Sequence, residues 1–233
     1  MLNDIDLPPM QLFLDTADVD VARSYFATGL VDGITTNPTL ILKSGRRPHD
    51  VYGELKDIGY KDISAEIVGS YYDTIKEANV LREKFGPCVT IKVPATEDGF
   101  QACRDLSKEG FKVNVTLIFN AAQAILASKA GAAYASVFVG RCDDNSVSGT
   151  EVVRSVAGVY QVQGVRTKVV AASLRTPYKV SRSFYNGAHI CTIPPKVFID
   201  MHRHVLTEQG LILFQKDWEE AQGKNQMMET NPQ

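Results

Sequence analysis

The amino-acid sequence predicts an α/β protein, a single (β/α)8 TIM barrel with an additional C-terminal helix. Three observations predict it. Eight short apolar runs alternate with helix-length segments, an order that gives a parallel sheet, because each parallel crossover needs a covering element. The 233 residues suit one such barrel, a fold that commonly runs to about 250 residues as one unit. No low-complexity linker interrupts the alternation, so residues 1–222 read as one domain that includes the C-terminal helix. Residues 223–233, GKNQMMETNPQ, read as a polar, disordered tail.

The strands are read, in order, at QLFLD (11–15), GITT (33–36), ISAEIV (63–68), VTIKVP (89–94), VNVTLI (113–118), YASVFV (134–139), TKVVAAS (167–173) and ICTIP (190–194). Helical segments between them include Val19–Ala27, Thr74–Phe85, Asp98–Glu109, Ala121–Ala130 and Ser148–Gln163. Several stop at glycine, as helix C-termini often do: Gly29, Gly86, Gly110, Gly131 and Gly187. Eight repeats favour closure over an open doubly wound sheet. No GxGxxG or GxxxxGK[ST] follows any strand, which removes the commonest nucleotide-binding alternatives. After the eighth strand, TEQGLILFQKDWEEAQ places Leu211, Phe214 and Trp218 at i, i+3 and i+7. That is an apolar helical stripe beside Lys216, Asp217 and Glu220. A barrel with its helical ring complete has little need of it, so the stripe belongs either across the bottom of its own barrel or on another subunit.

Strand parity says which residues share a face, since alternate residues point to opposite sides. Leu12 and Leu14 oppose Gln11 and Asp15. Ile63, Ala65 and Ile67 oppose Ser64 and Glu66. Val89, Ile91 and Val93 oppose Thr90 and Lys92, and Val113, Val115 and Leu117 oppose Asn114 and Thr116. With the apolar face under the helices, the polar face looks into the barrel. Asp15, Glu66, Lys92 and Thr116 then converge on the C-terminal mouth, where barrel enzymes place their chemistry.

Composition narrows the partners. Lys and Arg total 25 against 27 Asp and Glu, a net charge of −2 that offers no electrostatic case for nucleic acid or an anionic membrane. No apolar run approaches the ~20 residues needed to cross a bilayer, and MLNDIDLPPMQ lacks the pattern of a secretory signal. The four cysteines are scattered without a CxxC pair, which suits reduced thiols and a cytoplasmic setting. His202 and His204 stand two apart, and i and i+2 on a helix do not share a face; no metal site is assigned.

Lys92 is the residue with most chemistry in it. A lysine on a strand buried on both sides has reason to lose its proton and act as a nucleophile; the alternatives are a structural ion pair or an ammonium that reaches solvent. Asp15 and Glu66 are candidate acid–base groups, and either can instead be the counter-ion of Lys92. Arg141, just past the sixth strand, and Ser173 with Arg175, just past the seventh, suit an anion held by late βα loops. Surface pairing, for example of Arg141 with Asp143 or Asp144, competes with that reading.

FLDTAD, GITTNPTL, SAEIV, IKVPAT, NVTLIFNAAQA, FVGR, AASLRTP and FQKDW resemble, in order and over residues 11–218, the successive motifs of the small transaldolase and fructose-6-phosphate aldolase family. The resemblance implies that Lys92 forms a Schiff base and that Asp15 is base and acid for C–C cleavage and formation. Glu66 and Thr116 would hold the water of imine formation and hydrolysis. Asn37, with Thr36 beside it, would bind substrate hydroxyls, and Arg141, Ser173 and Arg175 the distal phosphate of a sugar phosphate. Glu66 with Phe138 is similar to the transaldolase branch; the aldolase branch carries Gln and Tyr there. Val137 stands where the family commonly has proline. No metal or organic cofactor is required, since the imine is itself the electron sink. The resemblance also implies a ring-type homo-oligomer, such as a decamer of two pentamers, whose C-terminal helix reaches a neighbouring subunit.

Overall fold

Strands rich in β-branched residues and buried on both faces need every backbone group paired, and closing the sheet on itself does this. The computed structural model describes residues 10–230. Its strands are β1 (Gln11–Asp15), β2 (Gly33–Thr35), β3 (Ile63–Glu66), β4 (Val89–Pro94), β5 (Val113–Ile118), β6 (Tyr134–Phe138), β7 (Lys168–Ala172) and β8 (Ile190–Ile193). Each pairs in parallel with the next, and β8 pairs with β1 to close the barrel. All eight expected strands are present. Five of them end earlier than the sequence suggests. At β7, Ser173 turns to φ 57°, and at β6 the chain enters a helix directly at Val139.

The helices are α1 (Val19–Phe26), α2 (Pro38–Ser44), α3 (Pro48–Ile58), α4 (Tyr71–Phe85), α5 (Glu97–Lys108), α6 (Ala121–Lys129), α7 (Val139–Asp144), α8 (Gly149–Val162), α9 (Pro177–Tyr185), α10 (Pro195–His202) and α11 (Val205–Thr230). The β2–β3 and β6–β7 crossovers carry two helices each. Short α2 starts on Pro38 with Asn37 as its cap, and α9 starts on Pro177 with Thr176 as its cap. Proline suits the first helical position because its missing N–H would have no partner there.

Parity holds through most of the sheet. Leu14, Ile34, Ile63, Ile91 and Val115 are fully buried or nearly so beneath the helices. Inside the barrel, Phe13, Tyr134, Val170 and Ile190 form a separate apolar plug, with the Phe13 and Tyr134 rings edge to face at 6.3 Å. Asp62, at the foot of β3, accepts hydrogen bonds from Thr90, Lys112 and Tyr134, so this polar floor is internally satisfied. Above the plug lies the inward layer of Thr35, Ser64, Lys92, Asn114, Ser136 and Thr192, all buried.

Strand β5 breaks the parity. Its register against β6 shifts between Val115 and Ile118, and Leu117 sits at φ 57°. The bulge turns Leu117 out of the outward apolar face, where alternation put it, and into the mouth of the barrel. Val137, by contrast, is an ordinary buried strand residue opposite Ala171.

One expectation for the C-terminus needs correcting. Helix α11 is continuous to Thr230, so the tail expected to be disordered from Gly223 is helical as far as the described residues reach; Gln, Lys, Met and Glu there are all good helix formers. Residues 231–233 lie outside them. Of the two placements open to the stripe, packing across its own barrel is not the one seen: Leu211, Phe214 and Trp218 are 63%, 69% and 62% exposed. Ile212 and Leu213 are exposed too, so α11 presents apolar side chains on more than one face.

Candidate active site

The mouth of the barrel holds a cavity of about 320 Å³, lined by residues from all eight strands and by the loops that follow them. That size falls in the range of small-molecule sites. A larger groove of about 600 Å³ runs along α2, α3 and α4. It is walled mainly by apolar side chains such as Ile41, Tyr52, Ile67 and Leu81, and of the cavity's ionisable residues only Glu66 borders it. Lysine and two carboxylates converge in the smaller space.

Lys92 rises from the inner face of β4 opposite Glu66 of β3. Its Nζ lies 2.9 Å from Glu66 Oε2, with the two side chains only 5% and 8% exposed, and it donates a second bond of 3.0 Å to the Thr36 carbonyl. The resting geometry is therefore a buried ion pair, with a carboxylate already positioned to take the ammonium proton. Asp15 ends β1 at the same level, and its Oδ1 accepts from Thr35 Oγ1 at 2.7 Å. Burial holds the Asp15 carboxyl above the ordinary carboxylate range; the Lys92 charge and the Thr35 hydrogen bond partly offset this, and Glu66 adds to it. A carboxyl with raised proton affinity beside an amine is suited to proton exchange.

On the far wall, Arg141 and Ser173 line the cavity. Gly140 permits their approach: a Cβ there would lie 2.2 Å from the Ser173 carbonyl oxygen, which instead accepts the Gly140 N–H at 3.1 Å. Arg141 has no ion-pair partner among the described residues, contrary to the alternative of pairing with Asp143 or Asp144. Arg175 makes that pair instead, with Nη1 and Nη2 each 2.5 Å from an Asp144 oxygen, and it stands outside the cavity lining. Two of the three non-glycine residues with positive φ, Leu117 and Ser173, line the cavity, the kind of position where backbone strain tends to be retained.

Seven of the ten sequence-predicted residues line this space: Asp15, Asn37, Glu66, Lys92, Phe138, Arg141 and Ser173. Asn37 commits its amide oxygen to the Leu40 N–H at 3.0 Å, which leaves its NH₂ for a ligand. Phe138 brings an apolar ring, edge to face with Phe119 at 6.1 Å. Thr36 does not join them. Its hydroxyl donates to the Ser64 carbonyl at 2.9 Å, and parity puts Thr35 on the inner face in its place. Thr116 is fully buried, and its Oγ1 is the one buried side-chain N or O atom without a hydrogen-bond partner among the described residues.

Sequence reasoning missed Thr35, Leu117, Ser136 and Thr192. Alternation applied to β2, β6 and β8 would have found all but Leu117. Ser136 also donates to Asn114 Oδ1 at 2.7 Å, and Asn114 reaches Ser64 Oγ at 3.3 Å, a hydroxyl–amide layer around the base of Lys92.

An enclosed lysine–carboxylate pair at the C-terminal mouth of a parallel barrel defines the class as a (β/α)8-barrel enzyme. The chain belongs to the transaldolase/fructose-6-phosphate aldolase family, whose model matches residues 12–231. It is similar to a probable transaldolase of Symbiobacterium thermophilum, 43% identical over 215 residues, 92% of this chain and 100% of that protein. A probable transaldolase of Clostridium botulinum is 44% identical over 216 residues, 93% of this chain and all of that one. One of Caulobacter vibrioides is 44% identical over 209 residues, 90% of this chain and 96% of that protein. No helix among the described residues is long and apolar enough to cross a membrane.

Proposed function

We propose that the protein is a transaldolase that carries a dihydroxyacetone unit from a ketose phosphate, fructose 6-phosphate or sedoheptulose 7-phosphate, to an aldose phosphate through a Schiff base on Lys92. The observation that carries this is the buried Lys92 Nζ, 2.9 Å from Glu66 and in one cavity with Asp15. Glu66 takes the ammonium proton, and the free amine attacks the C2 carbonyl of the donor. The carbinolamine loses water to give the iminium. The unpartnered hydroxyl of Thr116 supports a bound water at this step, since buried waters sit where polar atoms need partners. Asp15 then removes the C4 hydroxyl proton, the C3–C4 electrons move to the iminium nitrogen, and the aldose phosphate leaves. The resulting enamine attacks the acceptor aldehyde, Asp15 returns a proton to the new C4 oxygen, and water frees the product ketose.

Asn37 holds substrate hydroxyls through its free NH₂. Arg141 and Ser173 take the phosphate, joined by Arg175 when it shares or releases Asp144. Phe138 favours transfer over release, because an apolar ring at that wall offers the enamine no proton. The enzyme acts in the cytoplasm as a ring-type homo-oligomer, and the exposed apolar residues of α11 support an intersubunit role for that helix.

Borohydride reduction in the presence of fructose 6-phosphate, read by peptide mass, adds a three-carbon or whole-sugar adduct at Lys92. An adduct on another lysine, or none, overturns the mechanism. Phe138→Tyr raises release of dihydroxyacetone relative to transfer; an unchanged ratio removes the argument for the transaldolase branch.

A further inference from the structure

Three residues on adjacent strands form a hydrogen-bonded chain that the mechanism above leaves without a role. Thr35 Oγ1 lies 2.7 Å from Asp15 Oδ1 and 2.6 Å from Thr192 Oγ1. Thr35 faces Asp15 in the β1–β2 ladder, and Thr192 faces Phe13 in the β1–β8 ladder. The two hydroxyls therefore meet across the inner face of β1, and each residue is only 2% exposed.

The direction of the chain follows from counting protons. An ionised carboxylate only accepts, and a threonine hydroxyl owns one proton. Thr35 gives its proton to Asp15 Oδ1, so the contact between the hydroxyls is made by the proton of Thr192. We infer that Thr192 is a positioning residue for proton transfer: acting through Thr35, it keeps Asp15 Oδ1 an acceptor and leaves Oδ2 alone to exchange protons with the substrate. A hydroxyl that is itself accepting a bond donates more strongly. Thr192 thus reinforces the bond that favours ionised Asp15 and works against the effect of burial.

The remaining charges around Asp15 are Lys92 from β4 and Glu66 from β3, with Arg141 of α7 across the cavity. Strands β2 and β8, on either side of β1, bring hydroxyls to it. Asp18, at the start of α1, is occupied capping that helix. Among the described residues, no side chain other than Asp15 and Thr192 hydrogen-bonds to Thr35 Oγ1.

The inference rests on the proposed role of Asp15 as the C4 hydroxyl base, and the experiment separates the two. The pH dependence of kcat/KM is measured for full-length wild type, Thr192→Val and Thr192→Ser, with fructose 6-phosphate and an aldose phosphate acceptor. Thr192→Val keeps the shape without the donor. We expect kcat to fall by about fivefold with KM nearly unchanged, a loss of the size one hydrogen bond commands. We also expect the acid limb to move up by roughly half a pH unit, because Asp15 ionises less readily. Thr192→Ser restores the wild-type profile. If Thr192→Val does not fold, Thr192→Ala gives the same comparison. A profile that superimposes on wild type, or a loss equal at every pH and shared by Thr192→Ser, overturns the inference. Borohydride trapping with Asp15→Asn reports the underlying reading: imine formation at Lys92 needs no Asp15 but C3–C4 cleavage does, so Asp15→Asn should trap only the whole-sugar adduct where wild type also traps the three-carbon one. A three-carbon adduct in Asp15→Asn at the wild-type level sinks that reading, whereas its loss there together with an unshifted Thr192→Val profile sinks only the role of Thr192.

Discussion

Replacing the Lys92–Glu66 pair one partner at a time tests whether the reactive amine is enclosed as described. The two side chains are 5% and 8% exposed and 2.9 Å apart, so removing either leaves an uncompensated charge with little water to solvate it. Such a loss typically costs about 3–5 kcal/mol. Lys92→Met should reach that range, because the Glu66 carboxylate has no other cationic partner among the described residues. Glu66→Leu should lie at its lower end, since the Thr36 carbonyl still holds the ammonium at 3.0 Å. Replacing both at once removes both charges, and apolar substitutes for a buried pair are often neutral. The double variant should then lie within about 2 kcal/mol of wild type, a departure from additivity of at least about 4 kcal/mol. For a chain of this size the single losses correspond to roughly 10 °C in Tm. The assay is urea unfolding at one fixed protein concentration, because any assembly links stability to concentration. All three variants are inactive under the proposed mechanism, so the reading does not depend on turnover. Effects additive to within about 0.5 kcal/mol would mean that the two side chains reach water separately and that Lys92 is not an enclosed amine.

Further outcomes follow from the same geometry. Burial raises the proton affinity of Asp15 in the folded chain, so ionising it costs stability as pH rises through the folded value. Asp15→Asn should therefore abolish transfer yet raise Tm at pH 7, with the gain shrinking as pH falls toward the unfolded value of about 3.9; a lower Tm at pH 7 refutes this. Arg141→Ala should raise KM for phosphorylated donors by at least about tenfold while hardly affecting unphosphorylated fructose, and equal losses on both would assign Arg141 to loop structure. Asp144→Asn, which unties Arg175, should lower the same KM by up to about fivefold; no change would place Arg175 outside phosphate recognition. Deleting residues 205–233 should give smaller species by light scattering, and an unchanged mass would show that α11 takes no part in assembly.

The strands and the catalytic face were legible because a parallel barrel imposes one rule on every strand. Alternation placed Asp15, Glu66 and Lys92 together before any coordinate was known, and the same rule, applied to the short strands β2 and β8, would have preferred Thr35 to Thr36 and found Thr192. It fails at β5 for a physical reason. The bulge consumes an extra residue, and the left-handed backbone of Leu117 carries no mark in a sequence that reads VNVTLI throughout. The choice of Asp144 as partner for Arg175 was also hidden, because it depends on where the six-residue α7 ends, not on residue type. The end of α11 was misread from composition alone: polar residues suggest disorder, yet Gln, Lys, Met and Glu also favour a helix that has already begun.

Under the proposed mechanism the site resolves a conflict between folding and chemistry by giving one contact both tasks. An enclosed ammonium needs a counter-ion for the barrel to fold, and the same nitrogen must be free of its proton to attack a carbonyl. Glu66 meets the first need by pairing with Lys92 at 2.9 Å, and in the proposed mechanism it meets the second by accepting the proton over the same contact. Asp15 is arranged differently. Its proton affinity is set by burial against two donors of opposite kind, the Lys92 charge and the Thr35 hydroxyl. If the proton of Lys92 passes to Glu66 before imine formation, both groups become neutral, and of the two donors only the Thr35 hydroxyl then supports ionised Asp15. The formation of the iminium restores a positive nitrogen at the same place, which favours ionised Asp15 at the step where it must act as a base. Under the proposed mechanism the order of the two proton transfers follows from the electrostatics of the mouth, with Glu66 acting first and Asp15 only once the imine exists.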